Sequence, residues 1–150
     1  MVEVICMKKA ELEIMHQFNA YCLDSNNYLK AYPRKMSRFD AYNSDFIVEI
    51  KDRDSLYNEK LLIEFDKYAY NLAFSDVHNK KFIYLNRVGN NLYVFDINYL
   101  DYIQYDFNWE WKALPQTTEF GKTELIEKYV GYIHIRDSDI IEMIEHLCPN

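Results

Sequence analysis

The sequence predicts an α+β fold, a central mixed sheet with one helix crossing it and further helices at its flanks, and three observations carry that prediction. In residues 39–51 apolar side chains alternate, Phe39 and Ala41 before a polar turn and Phe46, Val48 and Ile50 after it. This is the period of a β-hairpin with one face on a core. In residues 56–74, Leu61, Phe65, Tyr68 and Leu72 recur at spacings of four, three and four, the stripe of an amphipathic helix. In residues 81–97, two runs of aromatic and β-branched residues flank Val88-Gly89-Asn90-Asn91, where Gly89 can supply the positive φ of a two-residue turn. A helix between two hairpins is the order of a sheet covered on one face by a crossover.

Taken from the start, residues 8–23 predict a helix, since Leu12, Met15, Phe18 and Cys22 recur at helical spacing among Lys9, Glu11 and Glu13. Asp24-Ser25-Asn26-Asn27 ends it, and Tyr28-Leu29-Lys30-Ala31-Tyr32 before Pro33 is either a short strand or an irregular segment. In the hairpin that follows, Ser44 and Asp45 can form the centre of a two-residue turn. Asp40 then stands across from Glu49, with Lys51 two residues on, and all three share the face opposite the apolar one. Asp54 or Ser55 can cap the next helix. That helix carries a second, polar stripe of Lys60, Glu64, Lys67 and Asn71, in which Lys60 and Glu64 would form an exposed pair contributing roughly a few tenths of a kcal/mol.

Residues 75–80, with His78, read as a turn before the second hairpin. Tyr99, Tyr102, Tyr105, Phe107, Trp109 and Trp111 form an aromatic run, and the alternation of the last three predicts a strand with one heavy aromatic face. Residues 113–121 read as irregular, 124–129 as a helical turn and 132–135 as a last short strand. From Asp139, a cap by residue type with Glu142 three positions later, Ile140, Ile141, Met143, Ile144 and Leu147 predict an amphipathic helix on which Glu142 and His146 are a surface pair.

Composition narrows the function. A chain of 150 residues with 49% hydrophobic and 27% charged residues is expected to form one globular domain. It holds no run of about 18 apolar residues, the minimum for a membrane-spanning helix, and residues 1–7 lack the pattern of a signal peptide. Cys6, Cys22 and Cys148 suit neither a disulfide framework nor a zinc site, so a reducing cytoplasm is expected. Glycine-rich phosphate loops, a nucleophile elbow and a dinucleotide fingerprint are absent. The net charge of -7 opposes a bulk electrostatic grip on nucleic acid. Yet Lys30, Arg34, Lys35 and Arg38 precede Asp40, and Lys51 and Arg53 follow it. They read either as a basic rim around an acidic site or as a solvated surface.

Two carboxylates facing each other on a sheet repel and raise each other's pKa, and a divalent cation is the usual remedy. Mg²⁺ accepts one or two carboxylates and keeps its other positions for water and phosphate oxygens. A lysine beside it can hold the attacking water or stabilise charge developing on phosphorus. Asp40, Glu49 and Lys51 are the residue types for metal-assisted phosphodiester hydrolysis.

Asp40 followed by Glu49-Ile50-Lys51 resembles the signature of the PD-(D/E)XK nuclease superfamily, which includes restriction, resolvase and phage recombination nucleases. The resemblance implies a restriction-endonuclease-like core of the small phage or mobile-element type. It implies Mg²⁺ or Mn²⁺ held by Asp40 and Glu49, an added ligand from the Ile50 carbonyl, and Lys51 assisting the attacking water. It also implies DNA as substrate, and Lys67 resembles the supporting residue that members carry on the crossover helix. In parts of the superfamily an acid on the first helix joins the metal shell, a role open to Glu11 or Glu13, although a surface carboxylate near the helix start is the simpler reading. Phe39 stands where the signature has proline, and Asp45 rivals Asp40 as first ligand but falls in the turn. A chain this small would cut both strands of a duplex as a homodimer.

The alternative is a non-catalytic nuclease-like or unrelated α+β protein that binds a host protein through an acidic, tyrosine-rich surface. Asp101, Asp106 and Glu110 interleave the aromatic run, which suits core filling or a protein interface better than base stacking.

Overall fold

The computed structural model describes residues 7–33, 38–115 and 124–138. Helix α1 (Lys9–Cys22) opens with the Lys8 N–H donating to the Glu11 carboxylate at 3.1 Å. Its Ile14, Met15 and Phe18 are buried in one core cluster with Ala41, Val48, Ile50, Ile83 and Leu85. Strands β1 (Lys30–Ala31), β2 (Ala41–Tyr42) and β3 (Phe46–Arg53) follow, then β4 (Lys60–Glu64), α2 (Phe65–Val77), β5 (Lys81–Val88), β6 (Asn91–Asp96), α3 (Ile97–Tyr102), β7 (Glu110–Pro115) and β8 (Leu125–His134). The fold is α+β. Five strands in the order β1-β2-β3-β5-β6 form a mixed sheet, antiparallel except for the parallel β3–β5 pair, and β4-β8-β7 form a second, antiparallel sheet.

The motif hairpin has the expected register, Ala41 opposite Val48 and Tyr42 opposite Ile47. The Asn43 side chain accepts the N–H groups of Asp45 and Phe46, at 2.8 and 2.6 Å, and so shapes the turn at Ser44 and Asp45. One residue leaves the predicted apolar face. Ala41, Val48 and Ile50 pack toward α1, whereas Phe39 is buried in the cluster on the other side, with Ile47, Phe82, Tyr84 and Phe95. The alternation breaks there because the Asp40 N–H donates to the Val48 oxygen, so that two residues address one. The second hairpin is as predicted: Val88 pairs with Asn91 and Gly89 has φ +60°.

Three expectations are corrected. Residues 56–74 are not one helix. Asn58 and Glu59, with φ of 49° and 60°, make a tight turn closed by hydrogen bonds between Tyr57 and Lys60, and β4 precedes a helix that starts only at Phe65 and runs to Val77. Leu61 and Ile63 are buried and alternate with Lys60, Leu62 and Glu64, so burial on the second sheet overrides the helical stripe. Phe107, Trp109 and Trp111 do not share a strand: Asn108 has φ +52° and β7 begins at Glu110. Phe107 and Trp109 are instead folded over Gly131, where an added Cβ would lie 2.8 Å from both. Residues 125–129 are no helical turn but the first part of β8, paired with β7 from Leu125 opposite Pro115 onward. The residues of the expected terminal helix, with Glu142 and His146, lie outside the described residues, as do Arg34 and Lys35. Among the described residues no helix is long and apolar enough to cross a membrane.

Candidate functional site

Asp40 is placed by the point at which β2 ends. With no strand residue beyond Ala41 to pair with it, the Ile50 N–H on that edge of β3 is accepted by Asp40 Oδ2 at 2.8 Å. The backbone of Asp40 is pinned on both sides, its N–H to Val48 and its oxygen from the Tyr32 N–H, each at 2.9 Å. Asn71, fully buried on α2, donates to the Arg38 oxygen at 2.9 Å and ties the approach to Asp40 onto the crossover helix. Asn71 was expected on a polar stripe; it faces inward instead. Strand geometry turns the Ile50 carbonyl to the same edge as its N–H, while the flanking backbone groups are directed to β5.

Glu49 lies at the centre of β3 and is 2% exposed. Its Oε1 accepts Lys67 Nζ at 2.8 Å and pairs with Lys51 Nζ at 3.3 Å. Its Oε2 is buried with no hydrogen-bond partner among the described residues. A buried carboxylate costs several kcal/mol, on the order of the penalty for any desolvated ion, unless charge and hydrogen bonds compensate it. The two ammonium groups compensate one oxygen and leave the other open.

The electrostatics follow from that crowding. Burial, then the charge of Glu49 and of Glu11, pushes the Asp40 carboxyl up to about 7, against the opposing effects of the Ile50 N–H and Lys67. Burial works against the charge of Lys51, but Glu49, Tyr84 and Asp40 hold its ammonium above the ordinary lysine value. Across the site, burial also works to raise Glu64. The Lys128 ammonium bonded to it at 2.7 Å, with Lys51 and Lys67, nevertheless keeps its carboxyl below the usual range.

Glu49, Lys51 and Lys67 open into a cleft of about 800 Å³ between the two sheets, whose far wall includes Leu62, Glu64, Leu114 and Lys128. Glu11 lines the same cleft from α1; Asp40 flanks it without lining it. Arg53, expected in a basic rim, bridges the sheets: its Nη2 donates to the Leu62 oxygen at 2.8 Å and the Tyr84 hydroxyl at 2.9 Å. Lys30 is exposed. Arg38 lies 3.7 Å from Asp66 and 5.0 Å from the Tyr70 ring centroid.

The structure thus brings Asp40, Glu49, Lys51 and Lys67 together. Asp45 is exposed in the hairpin turn, away from them in the register, and Glu13 is paired with Arg87 at 2.8 Å. Glu64 and Lys128 are additions. Glu64 was read as half of a helical pair with Lys60, and the alternation of Lys60, Leu62 and Glu64 behind an Asn-led turn was the signal that could have placed it on a strand.

Among the described residues no group of three metal-ligating His, Cys, Asp or Glu side chains converges. The two carboxylates still fit a hard cation, because Glu49 has a buried oxygen with no partner among the described residues, and Asp40 is pushed up to about 7 by burial and the charges of Glu49 and Glu11, which a cation would offset. Two protein carboxylates with the remaining positions left to water and substrate is a common Mg²⁺ arrangement. The exposed Tyr99 and Tyr102 lie on α3 near Asp101, the acidic, tyrosine-rich surface read from the sequence. No protein-family model and no curated protein matches this sequence.

Proposed function

We propose that this protein is a divalent-metal-dependent nuclease of the restriction-endonuclease-like kind, acting on phosphodiester bonds of DNA in the reducing cytoplasm. The observation that carries the reading is the half-buried Asp40 beside the buried Glu49, with Glu49 Oε2 unpartnered among the described residues and Lys51 at 3.3 Å from Oε1. Asp40 and Glu49 would hold Mg²⁺ or Mn²⁺, with the Ile50 carbonyl on the same strand edge. The bound metal would supply Lewis-acid polarisation of the phosphoryl group and a water of lowered pKa.

The chain's own residues do the rest. Asp40 gives up its proton when the cation binds. Lys67 anchors the Glu49 carboxylate from α2 and fixes its orientation. Lys51, a charged donor at the mouth of the cleft, hydrogen-bonds the attacking water or a nonbridging phosphate oxygen and stabilises the charge that grows there. Water adds to phosphorus and releases one proton to solvent, the P–O ester bond breaks with its electron pair going to the leaving oxygen, and a proton from solvent neutralises that oxygen.

The test compares wild type, Lys51→Ala and Glu49→Gln on supercoiled plasmid, single-stranded DNA and structured RNA, each with Mg²⁺, Mn²⁺ or chelator. Metal-dependent cleavage should fall by at least about 100-fold in both variants, the scale of one lost electrostatic contact in a transition state, with circular dichroism unchanged. Equal activity in either variant rejects the site.

A further inference from the structure

The cleft-facing side of the second sheet carries cations and rings that the chemistry above leaves unused. Along that face the register sets Lys60 and Leu62 of β4 beside His134 and Tyr132 of β8, and Lys128 of β8 directly across from Lys112 of β7. Lys112 Nζ sits 4.6 Å from the Tyr57 ring centroid and 5.7 Å from that of Tyr132. The Tyr132 hydroxyl donates to Glu110 at 2.6 Å, which fixes that ring. The two rings are 6.0 Å apart, and Tyr57 is 60% exposed, so Lys112 leaves much of it open. At the other end of the row, Lys128 is bonded to Glu64, whose carboxylate also feels Lys51 and Lys67. Ammonium groups therefore lead from Glu49, past the Glu64 carboxylate and Lys128 in the cleft wall, along the same face of the sheet to Lys112 and the open ring of Tyr57 beyond it.

We infer that this row is the track of a single strand of nucleic acid, with successive phosphates over Lys128 and Lys112 and one base stacked on the open face of Tyr57. The inference rests on the nuclease reading and names the form of nucleic acid that the same site accepts. Base–aromatic stacking needs a base free of its own duplex, and it is tolerant of sequence because every base has a π-face. The opposite side of the cleft mixes Asp52 and Asp54 with Lys8, Lys51 and Arg53, so the preference for a single strand is carried by the stacking ring. The overall charge of -7 points the same way, since local cations rather than a broad basic surface must hold the substrate.

The experiment is fluorescence anisotropy of a labelled 12-nucleotide oligothymidylate with the full chain, in Ca²⁺ in place of Mg²⁺ and again in chelator. Tyr57→Ala should weaken binding about tenfold, the loss of one stacked base, while Tyr57→Phe binds like wild type. Lys112→Gln should reduce the slope of log K against log salt by roughly 0.7, one phosphate contact on a single strand. A duplex of the same length should bind at least about tenfold more weakly, by the same missing stack. Wild-type affinity in Tyr57→Ala and Lys112→Gln, equal affinity for duplex, or equal competition by a polyglutamate peptide overturns the track. Metal-dependent cleavage lost in Lys51→Ala, with binding unaffected by Tyr57→Ala, refutes the track and leaves the nuclease standing. Tyr57-dependent strand binding without cleavage refutes the nuclease and keeps the track, and absence of both removes both.

Discussion

The crowding of Asp40 and Glu49 has a thermodynamic signature that can be measured without any substrate. In chelator, the Asp40 carboxyl titrates near 7 in the folded protein and near 3.8 when unfolded. Between those values the folded state holds a proton that the unfolded state has lost, so stability falls as pH rises through the window. The slope from this one group is at most about 1.4 kcal/mol per pH unit. Over the whole window that is on the order of 4 kcal/mol, and about half of that is the working expectation because the carboxyl is not fully sealed from solvent. Asp40→Asn removes the titration while leaving an amide oxygen able to accept the Ile50 N–H that Asp40 Oδ2 now accepts at 2.8 Å. Urea melts followed by fluorescence of Trp109 and Trp111 would give the two stability curves from about pH 5 to about pH 8, a range set by the folded and unfolded titrations. The difference between variant and wild type isolates Asp40 from every other titrating group. Because that range takes in about two pH units of the window, the variant should gain on wild type by about 1.4 kcal/mol across it at half the full slope. Mg²⁺ at about 100 times its Kd should restore about 2.7 kcal/mol to wild type at the alkaline end and little to the variant. Parallel curves with no metal effect would refute both the electrostatic account of Asp40 and its role as a ligand.

Other expectations can be checked with single variants. Gly131→Ala should destabilise by about 1–3 kcal/mol, the usual range for overpacking, because its Cβ would meet Phe107 and Trp109 at 2.8 Å; an unchanged melting temperature would mean that the aromatic fold-over is loose. Arg53→Met should cost about 2 kcal/mol, the scale of hydrogen bonds to a charged group, since it removes the link to Leu62 of the second sheet and the bond to Tyr84 of its own sheet. Its cleavage should fall as well if the cleft depends on that bridge, and full activity at a lowered melting temperature would separate stability from function. Lys67→Met should slow cleavage less than Lys51→Ala does, because Lys51 still pairs with Glu49, and steady-state rates on one substrate would rank them.

The sequence by itself determined the local features. Alternation set the hairpin register of Ala41 with Val48, Gly89 set the second turn, and the spacing of Met15 and Phe18 set α1, because each depends on contacts between residues close in the chain. It also placed Glu49 and Lys51 on one face, since a strand has a period of two whatever lies around it. The segment 56–74 misled because Leu61, Phe65, Tyr68 and Leu72 satisfy a helical stripe, while strand pairing with β8, some seventy residues on by the Ile63–Gly131 register, decides the first part of it. The Phe107–Trp111 alternation misled for a related reason: Asn108 turns the chain so that the Phe107 Cβ and the Trp109 ring cover Gly131. Only the tertiary structure decided that Lys67 reaches Glu49, that Glu49 Oε2 is buried with no partner among the described residues, and that Lys128 and Glu64 complete the cleft. Those facts depend on how a helix, two sheets and their intervening loops close on one another. Burial and charge separation are properties of that closure, and no period along the chain encodes them.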